Sequence, residues 1–104
     1  MKIYIAGAIT GHELEERRKT FASVAKQITD LGHEAVNPMA LDHNHDKQWE
    51  SYMKECIKAL MECDRIYSIH DQYLTKSKGY WVEYHLCHQV GIEQLVLMSD
   101  LEKL

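Results

Sequence analysis

The chain has 104 residues, the length of one domain, so we expect a single domain over residues 1–104. Hydrophobic residues make up 45% of it and charged residues 27%, values that exclude a disordered tail, a collagen-like fibre and a coiled-coil rod. The net charge of −4 comes without a basic stripe, and no apolar run reaches the roughly 20 residues of a membrane span, so we expect neither a nucleic-acid polymer nor a membrane as partner.

The first third of the chain predicts a strand, a helix and a second strand. Residues 2–6 (KIYIA) are rich in β-branched and aromatic residues, as in a strand that is buried on both faces. Residues 7–11 (GAITG) form a turn, and apolar residues then recur with a helical period over residues 13–31. Gly32 ends this helix as a C-terminal cap, and residues 33–37 form the second strand.

The rest of the chain predicts two more pairs of helix and strand. The clearest helix covers residues 49–61, where apolar side chains follow the spacing i, i+3, i+4, i+7. A third strand over 64–69, a polar loop over 70–78, a third helix over 79–91 and a fourth strand over 94–99 follow. This alternation predicts an α/β fold, a flavodoxin-like three-layer sandwich with a four- or five-stranded parallel sheet.

Three loops of this fold follow strands and therefore lie at one edge of the sheet. They are residues 7–11, 37–47 and 70–78. Ligands of open α/β sheets bind at this edge, which makes Asn37 and Asp71 candidate binding residues. The first loop also leads into a helix, whose free amides favour an anion such as phosphate. GxxxG is a weak signal by itself, and a plain turn at Gly7 and Gly11 is the alternative.

Glu83 is the most unusual residue of the predicted third helix. It shares a face with three apolar residues, a stripe that we expect to face the sheet. They are Leu86, Cys87 and Val90. A carboxylate there is costly unless it is paired or reaches solvent through a cleft, and a glutamate at the edge of the stripe is the alternative. Ser77 and Gly79, which supply a hydroxyl and a close-approach glycine at the same helix end, favour a functional site.

Four segments in this order resemble the nucleoside 2-deoxyribosyltransferase-like superfamily. They are KIYIAGAITG, the VNP that ends the second strand, YMKECIKALMECDRIYSI and SKGYWVE. The resemblance covers nearly the whole chain and is closest to small, uncharacterised phage- and bacterial-type members. Characterised relatives include nucleoside deoxyribosyltransferases and deoxynucleoside 5′-monophosphate N-glycosidases.

The resemblance implies cleavage or transfer at the N-glycosidic bond of a (deoxy)nucleoside or its 5′-monophosphate. Glu83 would be the nucleophile that forms a glycosyl ester at C1′, and Tyr4 the hydroxyl that orients it. The loop after the first strand and Ser77 would hold the 5′-phosphate. These residues and those predicted at the edge of the sheet together form the set of candidate substrate-binding residues. They are Gly7, Ala8, Ile9, Thr10, Gly11, Asn37, Asp71, Ser77 and Gly79.

The sequence departs from this superfamily at two places. Relatives carry a serine and an arginine where this chain has Ala8 and Thr10, which removes a charge-assisted donor to phosphate. Relatives also carry an aspartate, which handles the proton of the leaving base, where this chain has Cys56, a poorer acid. Asp71 and His70 are candidate replacements. A catalytically degenerate nucleotide-binding module of the same fold is the alternative function.

Residues 42–46 (DHNHD) contain groups that are competent to bind a metal. Because the sequence offers no well-placed third ligand elsewhere, we expect a solvated loop, no metal and no cofactor. The same loop could instead fold over a nucleobase. A metal-dependent or purely structural protein is the third alternative.

The partner predicted by the resemblance is a small-molecule nucleoside or nucleotide. Cys56, Cys63 and Cys87 are odd in number and lack CxxC spacing, which predicts reduced thiols and a cytoplasmic location. Trp81 and Tyr84 lie off the stripe that faces the sheet, so we expect a homodimer or a higher homo-oligomer.

Overall fold

The computed structural model describes residues 1–9, 12–41 and 48–104, in which strands and helices alternate. The strands are β1 (Lys2–Ala6), β2 (Glu34–Val36), β3 (Arg65–Ser68) and β4 (Glu93–Leu95). The α-helices are α1 (Leu14–Asp30), α2 (Trp49–Met61), α3 (Lys78–Val90) and α4 (Met98–Glu102). Single turns of 3₁₀ helix cover Pro38–Ala40 and Leu74–Lys76. No helix in these described ranges is both long and apolar enough to cross a membrane.

The four strands form one parallel sheet in the order β2-β1-β3-β4. The α/β fold class with a four-stranded parallel sheet is therefore confirmed. Tyr4 in β1 pairs with Val36 on one side and Ile66 on the other. The chain leaves β1 towards β2 and then crosses to β3, so the strand order reverses at the carboxyl ends of β1 and β3, where such sheets bind ligands.

The side chains of β1 alternate between two hydrophobic layers, as the two-residue period of a strand requires. Ile3 and Ile5 pack on the side of the sheet that α1 and α4 cover, together with Phe21 and Leu101. Tyr4 and Ala6 face the opposite side, which α2 and α3 cover. Tyr4 is thus a polar-tipped side chain inside the second layer, and its hydroxyl needs a partner there.

Both ends of α3 are fixed by local chemistry. The Ser77 hydroxyl accepts a hydrogen bond from the amide of Tyr80 at 3.2 Å, which caps the N-terminus of the helix. Gly91 adopts a φ of 83°, a conformation that suits glycine and ends the helix. The two caps fix the two ends of α3, and its N-terminus lies at the carboxyl edge of the sheet.

The predicted fourth strand over residues 94–99 is too long. The strand ends at Leu95, and Met98 begins the short helix α4. The Asp100 carboxylate accepts from the amides of Val96 and Leu97, at 3.4 and 3.1 Å, and Leu101 is buried. The chain after Leu95 therefore forms a turn and then the short helix α4, which places Leu101 in the core.

The predicted sheet-facing stripe of the third helix is also corrected. Val90 is 53% exposed, while Tyr80, Glu83 and Cys87 are buried and Tyr84 packs against them. The buried face keeps the spacing i, i+3, i+4, i+7 but starts earlier, because the large Tyr80 and Tyr84 rings fill the space below the helix. Tyr84 therefore does not support an interface between subunits, and the homo-oligomer stays a prediction.

Candidate active site

A buried hydrogen bond joins β1 to α3. The Tyr4 hydroxyl donates to Oε2 of Glu83 at 2.5 Å, and the two residues are 1% and 5% exposed. The Tyr4 side chain lies on the face of the sheet that α2 and α3 cover. Glu83 projects towards it from the buried face of α3. Residues 79 apart in the sequence therefore form one carboxylate–phenol pair.

A cavity of about 450 Å³ opens above this pair, within the size range of small-molecule sites. Gly7 and Ile9, from the loop after β1, line it on one side. Ser77 and Gly79, at the start of α3, line it on another. A Cβ at Gly79 would lie 3.3 Å from the sulfur of Met53, so the glycine allows α3 to approach α2 closely at this wall.

Burial sets the protonation of the pair. Removal from water raises the pKa of Glu83 to about 7, although the Tyr4 hydrogen bond opposes part of this effect. Burial and the adjacent Glu83 charge raise the pKa of Tyr4 far above its usual value, so its hydroxyl stays a donor. The cavity thus ends in a carboxyl group that changes charge near neutral pH.

Cys56 lines the cavity beside this pair. Burial and the charge of Glu83 raise the pKa of its thiol to about 11, although the neighbouring side chains of Tyr4 and Tyr52 oppose part of the shift. The thiol is therefore protonated at neutral pH and is a weak acid.

An ion pair between a buried arginine and a partly exposed aspartate holds two loops at the cavity edge together. The Arg17 side chain is 2% exposed; its Nε donates to the carbonyl of Ala8 at 2.7 Å, and Nη1 donates to Oδ2 of Asp71 at 2.8 Å. Asp71 in turn accepts from the amide of Tyr73 at 3.0 Å. The loop after β1 and the loop after β3 are thereby connected through one guanidinium group.

Several of the candidate residues do not line the cavity. Ala8 is buried, Asp71 binds Arg17, and His70 is exposed and does not line the cavity. The Asn37 side chain accepts from the amide of Met39 at 2.9 Å and so caps a turn. These positions lie at the expected edge of the sheet, but their side chains are turned elsewhere.

Some predictions fall outside the described residues. These are the substrate-binding roles of Thr10 and Gly11, and the metal loop at residues 42–46. Within the ranges that the structure does describe, no group of three His, Cys, Asp or Glu side chains could hold a metal ion.

A family model described as Domain of unknown function (DUF4406) matches residues 1–96. The chain belongs to this family. No curated protein matches the chain. Among solved structures, it is similar to the 2-deoxyribosyltransferase of the psychrotolerant bacterium Bacillus psychrosaccharolyticus, with a TM-score of 0.70 and 18% identity. That match covers 100% of this chain and 92% of the other, and it confirms the fold.

The sequence analysis missed several cavity-lining residues of this DUF4406 member, and four of them have rings or charges that make contacts or lie beside Ser77. They are His12, Trp49, Lys76 and Lys78. The His12 ring packs against the Tyr73 ring at a tilt of 38°, with centroids 4.3 Å apart. Lys78 Nζ lies over the Trp49 ring, 4.6 Å from its centroid. The two lysines flank Ser77 in the sequence, and this Lys-Ser-Lys pattern at the binding edge was the available signal.

The raised pKa of Glu83 predicts that stability decreases between about pH 4.5 and pH 7. In this window the folded state keeps the proton and the unfolded state loses it, so the free energy of unfolding falls as pH rises. With the folded pKa at about 7, the loss is about 3 kcal/mol at most and is complete above that pH. Denaturant melts at pH 5 and pH 8 measure it, with Glu83→Gln as the variant that lacks the titration. An equal pH dependence in both proteins would contradict the assignment.

Proposed function

We propose that the chain cleaves or transfers at the N-glycosidic bond of a (deoxy)nucleoside or its 5′-monophosphate, through a covalent ester between the sugar and Glu83. The observation that carries the proposal is the hydrogen bond from Tyr4 to Glu83 at the end of the cavity. A buried carboxylate oriented by a phenol, and reached through a cleft, has the position that a glycosyl-transfer nucleophile needs.

In the first step, the free oxygen of ionised Glu83 attacks C1′ of the sugar. The C1′–N bond breaks, its electron pair leaves with the base, and the base takes a proton from solvent. Tyr4 holds the other carboxylate oxygen, so the attacking oxygen is oriented towards the cavity. Water or a second base then displaces Glu83 from C1′, and the two inversions together retain the configuration.

The basic groups of the cavity support a substrate that carries an anion. His12 and Lys76 line the cavity, and the first amides of α3 lie beside Ser77. Free amides at a helix N-terminus favour phosphate, and the lysine adds charge. This arrangement favours the 5′-monophosphate over the free nucleoside, although Ala8 and Thr10 replace the serine and arginine of relatives.

A second candidate function is a nucleotide-binding module without turnover. Cys56 is the observation that favours it, because a thiol with a pKa of about 11 is a poor donor to a leaving base. Such a module would bind nucleotides in the same cavity and form no product.

One assay separates the two candidates. Purified protein is incubated with a panel of deoxynucleosides, ribonucleosides and their 5′-monophosphates, and free base is quantified by liquid chromatography. The enzyme proposal predicts release of base from at least one compound in proportion to protein concentration. Thermal stabilisation by nucleotides with no free base from any compound would support the binding module and contradict the enzyme.

A further inference from the structure

The loop between β1 and α1 brings an imidazole to the cavity wall. Among the described residues of this loop, Gly7, Ile9 and His12 line the cavity, and of these only His12 has a side chain that donates a hydrogen bond. The His12 side chain is partly buried, and no described residue forms a hydrogen bond with either of its ring nitrogens. Both nitrogens are therefore available to a ligand.

Tyr73 supports this imidazole from outside the cavity. It lies in the loop after β3, does not line the cavity, and packs its ring against that of His12 with centroids 4.3 Å apart and a tilt of 38°. A flat ring in contact with the imidazole excludes some of the rotamers that the histidine would otherwise adopt. The contact therefore limits the directions in which the ring nitrogens of His12 can point.

Tyr73 is itself fixed by two charged neighbours. Its backbone amide donates to Oδ1 of Asp71 at 3.0 Å, and Oδ2 of the same carboxylate accepts from Nη1 of Arg17 at 2.8 Å. The guanidinium carbon of Arg17 also lies 5.6 Å from the centroid of the Tyr73 ring, within the range of a cation–π interaction. Since Arg17 is 2% exposed, a buried group of α1 anchors Tyr73, and Tyr73 in turn supports His12.

We propose that His12 binds the anionic group of the substrate and that Tyr73 is the residue that positions it. An imidazole donates an N–H to an anion in either protonation state, and the hydrogen bond is charge-assisted when the ring is protonated. A side chain that is already held in one orientation loses less conformational entropy on binding, which increases affinity. This inference rests on the proposed function for the 5′-phosphate, and it adds the side chain that binds this group and the positioning residue behind it.

Binding of 2-deoxyribose 5-phosphate tests both roles with a probe that lacks the base. Its affinity is measured by isothermal titration calorimetry. His12→Ala is expected to weaken binding about tenfold, as for the loss of one hydrogen bond to a charged group. Tyr73→Leu is expected to weaken it about fivefold, because the imidazole is then free to turn, whereas Tyr73→Phe, which keeps the ring, stays within about twofold.

Two controls separate positioning from a general effect on the fold. Tyr67→Leu makes the same change at a tyrosine that packs on the opposite side of the sheet, and it is expected to leave the affinity unchanged. In the His12→Ala protein, Tyr73→Leu is expected to cause no further loss, since no imidazole remains to be positioned. An equal loss in both backgrounds, an equal loss for Tyr73→Phe and Tyr73→Leu, or an unchanged affinity of the His12→Ala protein would overturn the proposal.

The outcome is distinguishable from that of the proposed function. Binding of the sugar phosphate that depends on His12 and Tyr73, with no free base released from any compound of the panel, would support this inference and contradict the glycosyl chemistry. Release of base from the monophosphates, with affinities that depend on neither residue, would overturn this inference and leave the glycosyl chemistry in place.

Discussion

Glu83→Gln is expected to reduce base release by roughly four orders of magnitude, because the amide lacks the nucleophilic oxygen that forms the glycosyl ester. The amide has nearly the same volume and still accepts the hydrogen bond from Tyr4, so the fold and the binding of substrate are retained. The measurement is the initial rate of base release on the best substrate of the panel, above pH 7, where Glu83 is ionised.

Two further variants control this result. Glu55→Gln changes an exposed carboxylate of α2 and is expected to leave the rate unchanged. Tyr4→Phe keeps the nucleophile but removes the hydrogen bond that lowers the pKa of Glu83, so the acid limb of the pH–rate profile should move to higher pH. A Glu83→Gln protein that keeps more than a tenth of the rate would exclude Glu83 as the nucleophile.

Asp71→Asn is expected to lower the free energy of unfolding by about 3 kcal/mol, because it leaves the guanidinium of Arg17 buried without its carboxylate. For a domain of this size, that loss corresponds to a decrease in melting temperature of more than about 10 °C. Thermal melts monitored by circular dichroism at neutral pH measure it.

The exposed pair of Lys26 and Asp30, which has the same 2.8 Å separation, provides the matched control. Asp30→Asn is expected to leave the melting temperature unchanged, because water screens that pair. Adding Arg17→Met to Asp71→Asn should recover part of the lost stability, since no unpaired charge then remains in the interior. A melting temperature within about 2 °C of the unsubstituted protein for Asp71→Asn would show that the ion pair of Arg17 and Asp71 adds little.

Most of the fold could be predicted because its signals are local. The helical period of α2 and the β-branched run of β1 each follow from their own residues, and both were predicted with the bounds that the structure shows. The short helix α4 was missed because an apolar run has the same composition in a strand and in a turn that buries Leu101. Only the packing of Leu101 against the rest of the core separates these outcomes.

The candidate site was predicted less completely, for a different reason. Glu83 is a charged residue on the apolar face of its helix, so the sequence alone identifies it as a candidate site residue. Asn37 and Asp71 were placed at the correct edge of the sheet, but strand order does not determine where a side chain points. Arg17 lies in a charged stretch that is typical of an exposed helix surface, and its contacts include Asp71, which is 54 residues away in the sequence.

The glycosyl ester on Glu83 can be tested directly by mass spectrometry. The protein is mixed with the best substrate, quenched in acid within one turnover and digested, and the peptide that contains Glu83 is weighed. We predict that this peptide gains the mass of the sugar fragment without its base, and that the Glu83→Gln protein gives no such product. Base release at the normal rate, with the sugar attached to no residue or to a residue other than Glu83, would contradict the account.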